Sequence, residues 1–207
     1  YSSNMFKKTA DGDPCKKGLE IIIRETTRCK GIIQELLEFS RYKAPNKQRL
    51  NHNDTLRKAL SILDNEFMLR HIKVAKTLAH DLEDILLDGN QMEQVFINLL
   101  LNAAQAIDKQ GQIRIETWMD ADRDLEIVTI SDDGCGIAPE EAGKLFEPFY
   151  STKSTGTGLG LAVSYGIVRN HEGQIRVASQ LNEGTCFTIE LPLDRPAPSE
   201  PKKQGNA

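Results

Sequence analysis

Four short segments of this chain combine residue types that can bind a metal ion and a phosphorylated ligand. In chain order they carry spaced amides, an aspartate followed by glycines, an aromatic stretch ending in a lysine, and a glycine-rich loop. They occupy residues 94–103, 132–137, 146–153 and 156–161 of 207. Each segment alone is a weak signal, but their combination in one short chain predicts a single ligand-binding domain.

The amides of the first segment lie in a predicted helix of about residues 90–108 that is otherwise largely apolar. Gln94, Asn98 and Asn102 recur every four residues, so they share one side of that helix. Buried amides cost free energy unless they find polar partners, and Mg²⁺ prefers oxygen ligands of this kind. A metal site and a buried structural network are equally good interpretations of the stripe.

Asp132 ends a predicted strand and shares a face with the apolar residues Val128 and Ile130. Its carboxylate can accept a hydrogen bond from an exocyclic amine, and Gly134 and Gly136 allow the backbone to approach a ligand closely. The alternative is a turn-forming aspartate, because Asp and Gly commonly build turns.

The glycines at 156, 158 and 160 precede a predicted helix of about residues 158–170. Backbone N–H groups in such a loop can bind phosphate oxygens. No Lys-Ser or Lys-Thr pair follows, which excludes a P-loop, and no clear strand precedes, which excludes the dinucleotide-binding fingerprint. Lys153 can add positive charge there, although a lone lysine is more often a solvated surface residue.

The rest of the pattern predicts the elements that position these residues. Apolar residues spaced by three and four over residues 16–42 favour a helix of a hairpin or four-helix bundle over a lone surface helix. Residues 44–48 break this pattern and predict a linker. A further helix and five strands follow, mostly joined by short turns, which favours antiparallel pairing. We therefore predict an α+β domain of two layers, an antiparallel sheet with helices on one face. The predicted strands cover residues 72–78, 112–119, 124–132, 174–179 and 185–191.

Composition excludes several other functions. The net charge of −4 and the scattered lysines and arginines argue against a nucleic-acid binder. No apolar run is long enough to span a bilayer, so we expect no direct membrane contact, and the four cysteines lack zinc spacing. The histidines form no metal site or catalytic triad. We expect each to be a surface or hydrogen-bonded structural residue: His52 and His80 in linker or turn contexts, His71 beside a strand, and His171 at a helix exit.

The four segments resemble the N, G1, F and G2 boxes of the histidine kinase catalytic domain, within the larger family shared with gyrase, Hsp90 chaperones and MutL-type repair proteins. The resemblance covers about residues 50–193 and implies a Bergerat-type fold that holds ATP between sheet and helices. It implies that Asn102 binds Mg²⁺ with Asn98 beside it, and that Asp132 accepts a hydrogen bond from the adenine amino group. The implied nucleotide-binding residues are Asn98, Asn102, Asp132, Gly134, Gly136, Ile137, Lys153, Gly156, Gly158, Leu159, Gly160 and Thr185.

Residues 16–42 resemble the second helix of the dimerisation and phosphotransfer hairpin, which implies a homodimer formed through this helix. The His-Glu segment of the first helix is not present in the sequence. We therefore expect three parts: residues 1–44, a partial dimerisation region lacking the phosphoacceptor; residues 45–193, the catalytic domain; and residues 194–207, a disordered tail.

The implied activity is transfer of the ATP γ-phosphate to a histidine, for relay to an aspartate on the receiver domain of a response regulator in the cytoplasm. One alternative is an ATP hydrolase or clamp of the gyrase and chaperone type, in which a glutamate occupies the position of Asn98. Another is a nucleotide-binding scaffold without enzyme activity.

Overall fold

The computed structural model describes residues 5–6, 13–40, 44–152 and 156–193, which form a long helix followed by an α+β domain. Lys153, residues 41–42 of the predicted first helix and the predicted tail lie outside the described residues. The elements are α1 Pro14–Ser40, β1 Gln48–Leu50, α2 His52–Leu69, β2 Ile72–Leu78, β3 Ile85–Leu87, α3 Gly89–Ala106, β4 Gly111–Asp120, β5 Leu125–Asp132, α4 Pro139–Ala142, α5 Gly160–Asn170, β6 Gln174–Gln180 and β7 Gly184–Pro192.

The main sheet has five strands in the order β2-β4-β5-β7-β6. The pairs β4–β5, β5–β7 and β6–β7 are antiparallel, as predicted, and Asp132 lies opposite Thr185 in the β5–β7 register. The pair β2–β4 is parallel, so the expectation of a wholly antiparallel sheet is wrong at this edge. The reason is the connection: β3 and α3 lie between these strands and supply the long crossover that a parallel pair needs.

Three short elements were not predicted from the sequence. Strands β1 and β3 form a separate two-stranded antiparallel sheet, and each has only three residues, too few for a periodic pattern. The four-residue helix α4 lies between Gly134 and the glycine loop and begins at Pro139, which suits the first turn of a helix.

The core lies between the helices and one face of the sheet. Helix α3 places Phe96, Leu99 and Leu100 there, all completely buried. On the sheet, alternate residues of β5 face this layer, and Val128 and Ile130 are buried among the same apolar residues. The next residue in that alternation is Asp132, so the packed core brings a carboxylate to the end of the sheet beside α3.

Helix α1 exposes apolar side chains along much of its length. Ile21, Ile22, Ile33 and Leu36 are each exposed by more than a third. Ile22, Ile33 and Leu36 belong to the apolar residues spaced by three and four from which the helical bundle was predicted, so the surface that such a bundle needs is exposed. The division into domains stays a prediction.

The histidine at position 52 is completely buried, contrary to the linker or turn context expected for it. It is the first residue of α2, because Asn51 caps that helix by accepting a hydrogen bond from the backbone N–H of Asn53. Its Nδ1 lies 2.7 Å from Oε2 of Glu126 on β5, whose side chain is also fully buried. The contact lacks hydrogen-bond alignment, and Nε2 of His52 and Oε1 of Glu126 have no hydrogen-bond partner in the described part of the chain.

We predict that Glu126→Leu lowers the free energy of unfolding by about 3 kcal/mol, because it leaves a buried imidazole without its carboxylate partner. The double variant His52→Leu with Glu126→Leu should recover most of that loss, since two apolar side chains leave no buried polar group unpaired. Urea unfolding of the double variant and of the single variants Glu126→Leu and His52→Leu tests this. If the double variant were as unstable as the sum of the single ones, the pair would not be coupled.

Candidate nucleotide-binding site

A cavity of about 340 Å³ lies between α3, α5 and the end of the main sheet. Nine of the twelve predicted site residues line it: Asn98, Asn102, Asp132, Gly136, Ile137, Gly156, Gly158, Gly160 and Thr185. A larger groove of about 520 Å³ also borders Asp132 and Thr185, but it is more open and lacks the amides and the glycine loop. The smaller cavity is therefore the candidate site.

The other three predicted residues stand apart from this lining. Gly134 packs behind the cavity, where an added Cβ would lie 2.6 Å from the carbonyl carbon of Ala106. Leu159 is completely buried in the core next to the start of α5. Lys153 is outside the described residues.

Helices α3 and α5 touch at the amide stripe. Nδ2 of Asn98 donates a hydrogen bond to Oγ of the buried Ser164, 3.1 Å away. A Cβ at Gly160 would lie 2.6 Å from Oδ1 of Asn98, so only glycine allows this approach. The amide of Asn102, one turn further along α3, has no hydrogen-bond partner among the described residues. Asn98 therefore serves as a structural contact between the helices, whereas the Asn102 amide is available to a ligand.

Asp132 takes the turn-forming role that its sequence left open and also lines the cavity. It is 9% exposed, and its Oδ1 accepts a hydrogen bond from the backbone N–H of Gly134, 2.9 Å away, which is the turn-forming role. The residue also lines the cavity beside Thr185 on the neighbouring strand. A buried carboxylate in this position can accept a hydrogen bond from an amine on a ligand.

A hydroxyl network extends from Thr185 to the glycine segment, and sequence reasoning missed its centre. Ser179 on β6 lies 2.9 Å from Oγ1 of Thr185, and its Oγ also accepts a hydrogen bond from the backbone N–H of Ile137. Ser179 donates to the carbonyl oxygen of Gly184 at 2.9 Å. No motif marks a serine near the end of a strand, so only the pairing of β6 with β7 reveals it.

Close packing fastens the loop that follows Asp132. Gly136 has a φ of +65°, and a Cβ there would lie 2.0 Å from the carbonyl oxygen of Gln180. The backbone of Cys135 bonds on one side to Ala106 at the end of α3 and on the other to Asn182 in the β6–β7 turn. This double attachment holds one wall of the cavity.

The glycine loop is closed by a backbone contact at its base. Phe149 donates its N–H to the carbonyl oxygen of Gly158, 3.0 Å away. Gly158 has a φ of +70°, and a Cβ would lie 2.4 Å from the carbonyl carbon of Phe149. Helix α5 then starts at Gly160 without a side-chain cap, which leaves its first N–H groups available to an anion.

Several further residues line the cavity without having been predicted. Tyr150 is one of them: loss of solvation by burial, followed by the nearby Glu141 and Glu147, raises the pKa of its phenol above the ordinary value. Its hydroxyl therefore stays protonated at neutral pH and can donate a hydrogen bond. The others include Leu101, Gln105, Cys135, Glu141, Leu145, Ser151, Thr152, Thr157, Leu161 and Phe187.

The side chains that line the cavity favour a hard cation that is bound partly by the protein and partly by oxygen atoms of the bound ligand. No group of three or more His, Cys, Asp or Glu side chains suitable for a metal occurs among the described residues. A metal at the amide stripe would depend on amide oxygens and on phosphate oxygens, which is how Mg²⁺ is commonly bound. The site thus joins amide oxygens, free helix N–H groups and a buried carboxylate around one cavity.

Comparison with known proteins agrees with this arrangement. A family described as histidine kinase-, DNA gyrase B-, and HSP90-like ATPase matches residues 87–195. The signal transduction histidine-protein kinase AtoS of Escherichia coli is 38% identical over 176 residues, which is 85% of this chain and 29% of AtoS. The chain thus spans less than a third of the length of that relative.

Two solved structures extend the likeness to the fold. The catalytic domain of histidine kinase ThkA is 30% identical, with a TM-score of 0.63, over 71% of this chain and 95% of that domain. ThkA in complex with the response regulator protein TrrA is 26% identical, with a TM-score of 0.73, over 92% of this chain and 55% of ThkA.

This chain belongs to the family of histidine kinase-, DNA gyrase B- and HSP90-like ATPases. The predicted fold class is confirmed by these comparisons. Within the described residues, no helix is long and apolar enough to cross a membrane.

We predict that Gly160→Ala displaces the Asn98 side chain and breaks its bond to Ser164, at a cost of about 1 kcal/mol in unfolding free energy. The matched control is Gly166→Ala in the same helix, where an added Cβ meets nothing within 4 Å. That control should stabilise the protein by about 0.5–1 kcal/mol, since alanine favours a helix interior. Urea unfolding and the NMR signal of the Asn98 side-chain amide test the pair. An unshifted Asn98 signal in Gly160→Ala would contradict the contact.

Proposed function

We propose that this chain is the ATP-binding catalytic core of a two-component sensor histidine kinase. The observation that carries the proposal is the meeting of α3 and α5 at one cavity. The amides of Asn98 and Asn102 lie on one side, and the uncapped start of α5 with its glycine loop lies on the other. Asp132 and Thr185 complete the cavity at the end of the sheet.

In this proposal the adenine base binds at the sheet end of the cavity. Asp132 accepts a hydrogen bond from the exocyclic amine, and Thr185 joins the polar contacts there. Gly134, Gly136 and Ile137 belong to the loop beside the base. Ser179 positions this group, because it contacts both Thr185 and the backbone of Ile137.

The phosphates bind near the start of α5 in the same proposal. The N–H groups of the segment with Gly156, Gly158 and Gly160 receive phosphate oxygens, because an uncapped helix start favours negative charge. Leu159 anchors this segment in the core, and Lys153 contributes charge.

Mg²⁺ fits the amide stripe beside the phosphates. The side chain of Asn102 lines the cavity and has no other partner within the described part of the protein, and Asn98 lies one helical turn away. Bound there, the ion would offset the negative charge of the phosphates. The protein itself supplies position: the contact between α3 and α5 holds the amides and the N–H groups beside one another at the cavity.

We propose that the γ-phosphate passes to a histidine of the dimerisation region and then to an aspartate of a response regulator. The ThkA–TrrA complex supports a response regulator as partner. The exposed apolar side chains of α1 support a homodimer through this helix. ATP as the donor supports a cytoplasmic location. In the alternative of an ATP hydrolase or clamp, a carboxylate would orient water, and an amide stands at position 98 instead.

Phosphate transfer distinguishes these functions. The protein is mixed with Mg²⁺, γ-labelled ATP and a peptide of the first hairpin helix bearing a histidine. We expect label on the peptide, while Asn102→Ala should bind Mg·ATP at least about tenfold more weakly with its fold intact, because a metal ligand is lost. Isothermal calorimetry and circular dichroism check the variant. Release of free phosphate without labelled peptide would favour a hydrolase, and binding without either product would favour a scaffold.

We predict that Asp132→Asn weakens ATP binding about tenfold, because the charge-assisted hydrogen bond to the adenine amine is lost. GTP binding should change much less, since guanine presents a carbonyl where adenine presents the amine. Calorimetric titration with both nucleotides measures the difference. Asp133→Asn is the matched control, because Asp133 is exposed and bonds to the backbone of Gln112 outside the cavity. An equal loss for both nucleotides would contradict the adenine role.

A further inference from the structure

His171 connects the two helices of the proposed nucleotide site at the end far from the cavity. It follows the last residue of α5 and is only 3% exposed. The backbone N–H of Asp88, which caps α3, donates a hydrogen bond to Nε2 of His171 at 2.9 Å. Nδ1 lies 2.8 Å from the carbonyl oxygen of Ile167. Because Nε2 accepts, the proton is on Nδ1, and the ring is neutral.

Asp88 joins this contact to the segment at Asn46, between α1 and β1. Its Oδ1 caps α3 by accepting from the N–H groups of Asn90 and Gln91. Its Oδ2 accepts from the backbone N–H of Asn46, 2.9 Å away. One carboxylate therefore holds both the start of α3 and the segment that follows α1.

A second contact fixes the same two helices beside the cavity. There Asn98 of α3 bonds to Ser164 of α5, and Gly160 packs directly against the Asn98 amide. The helices run in opposite directions, so the start of α3 meets the end of α5. Asp88 and Asn98 lie about 15 Å apart along α3, given the rise of 1.5 Å per residue. Two contacts this far apart prevent α5 from sliding or tilting against α3.

We infer that His171 and Asp88 are positioning residues that lock α5 against α3 and tie both helices to the segment at Asn46. The consequence rests on the proposed function: the spacing between the amides of α3 and the glycine loop depends on this remote lock. Movement of the segment at Asn46 would then change the spacing between the amides and the glycine loop at the proposed phosphate site. Two rigid helices and a shared carboxylate supply the physical route.

The charges around His171 make the lock sensitive to acid. Burial, the largest cause, and Lys47 lower its pKa from the ordinary 6.5, while the Ile167 carbonyl and Asp88 raise it less. Glu172, the next residue in the chain, pairs with Lys47 at 3.5 Å. Because the folded-state pKa is lowered, the contact stabilises fully above pH 6.5 and is lost as pH falls through the lowered value. Protonation of Nε2 removes the acceptor for the N–H of Asp88.

Two substitutions at His171 test the lock in the whole chain. Gln places a non-titrating amide near Nε2 and can still accept from Asp88, whereas Leu removes the acceptor. We expect His171→Leu to bind Mg·ATP about fivefold more weakly, as for a typical lost hydrogen bond, and His171→Gln to bind like the parent near pH 7.5. The affinity of the parent should fall towards about pH 5.5 more steeply than that of His171→Gln. His80→Gln is the control, because His80 is exposed and remote from the contact.

The segment is tested by a matched pair at Asn46. Asn46→Pro removes the backbone N–H that Asp88 accepts, whereas Asn46→Ala keeps it. We expect only Asn46→Pro to shift the NMR signal of the Asn98 side-chain amide in the nucleotide-free protein and to weaken Mg·ATP binding.

Three outcomes would overturn the inference. They are parent-like affinity in His171→Leu, an unchanged pH profile in His171→Gln, or an unchanged Asn98 signal in Asn46→Pro. If His171→Leu does not fold, the pH dependence of Mg·ATP affinity in His171→Gln still tests the inference. If the parent protein fails to bind ATP, the proposed function fails, but the Asn98 signal still tests the lock.

Discussion

The contact between α3 and α5 is the constraint on which the site depends. Gly160 lies so close to the Asn98 amide that any side chain there would displace it, and the bond from Asn98 to Ser164 holds the pair in register. The amides and the glycine loop face one cavity because these helices touch. A loop alone could not hold the N–H groups at the start of α5 in place beside the amides of α3, since loops are the least rigid part of a domain.

The sheet supplies the third side of the cavity, because successive side chains of a strand point to opposite faces of the sheet. Val128 and Ile130 pack into the core, and the same face then presents Asp132 where packing ends. The antiparallel partner β7 places Thr185 opposite, and β6 adds Ser179. The position of Asp132 at the cavity is therefore a property of strand register, since a shift of one residue would turn Asp132 to the other face.

Asn98 and Asn102 differ in role because they differ in their hydrogen-bond partners. Asn98 is engaged with α5, so its main role is to hold the helices, whereas the Asn102 amide lines the cavity and has no partner within the described residues. On the proposed function, the first residue positions the site and the second meets the ion. If that function holds, the amide stripe contains both a structural contact and a metal site, the two interpretations that the sequence left open.

Much of this protein was determined by the sequence itself. The spacing of Asn98 and Asn102, the position of Asp132 at a strand end and the glycines before α5 are local patterns, and local geometry fixes their faces. The parallel pairing of β2, the burial of His52 against Glu126, the role of Ser179 and the contact from His171 to Asp88 were decided only by tertiary structure. Each joins residues far apart in the chain, and no local period records which distant partner a side chain will meet.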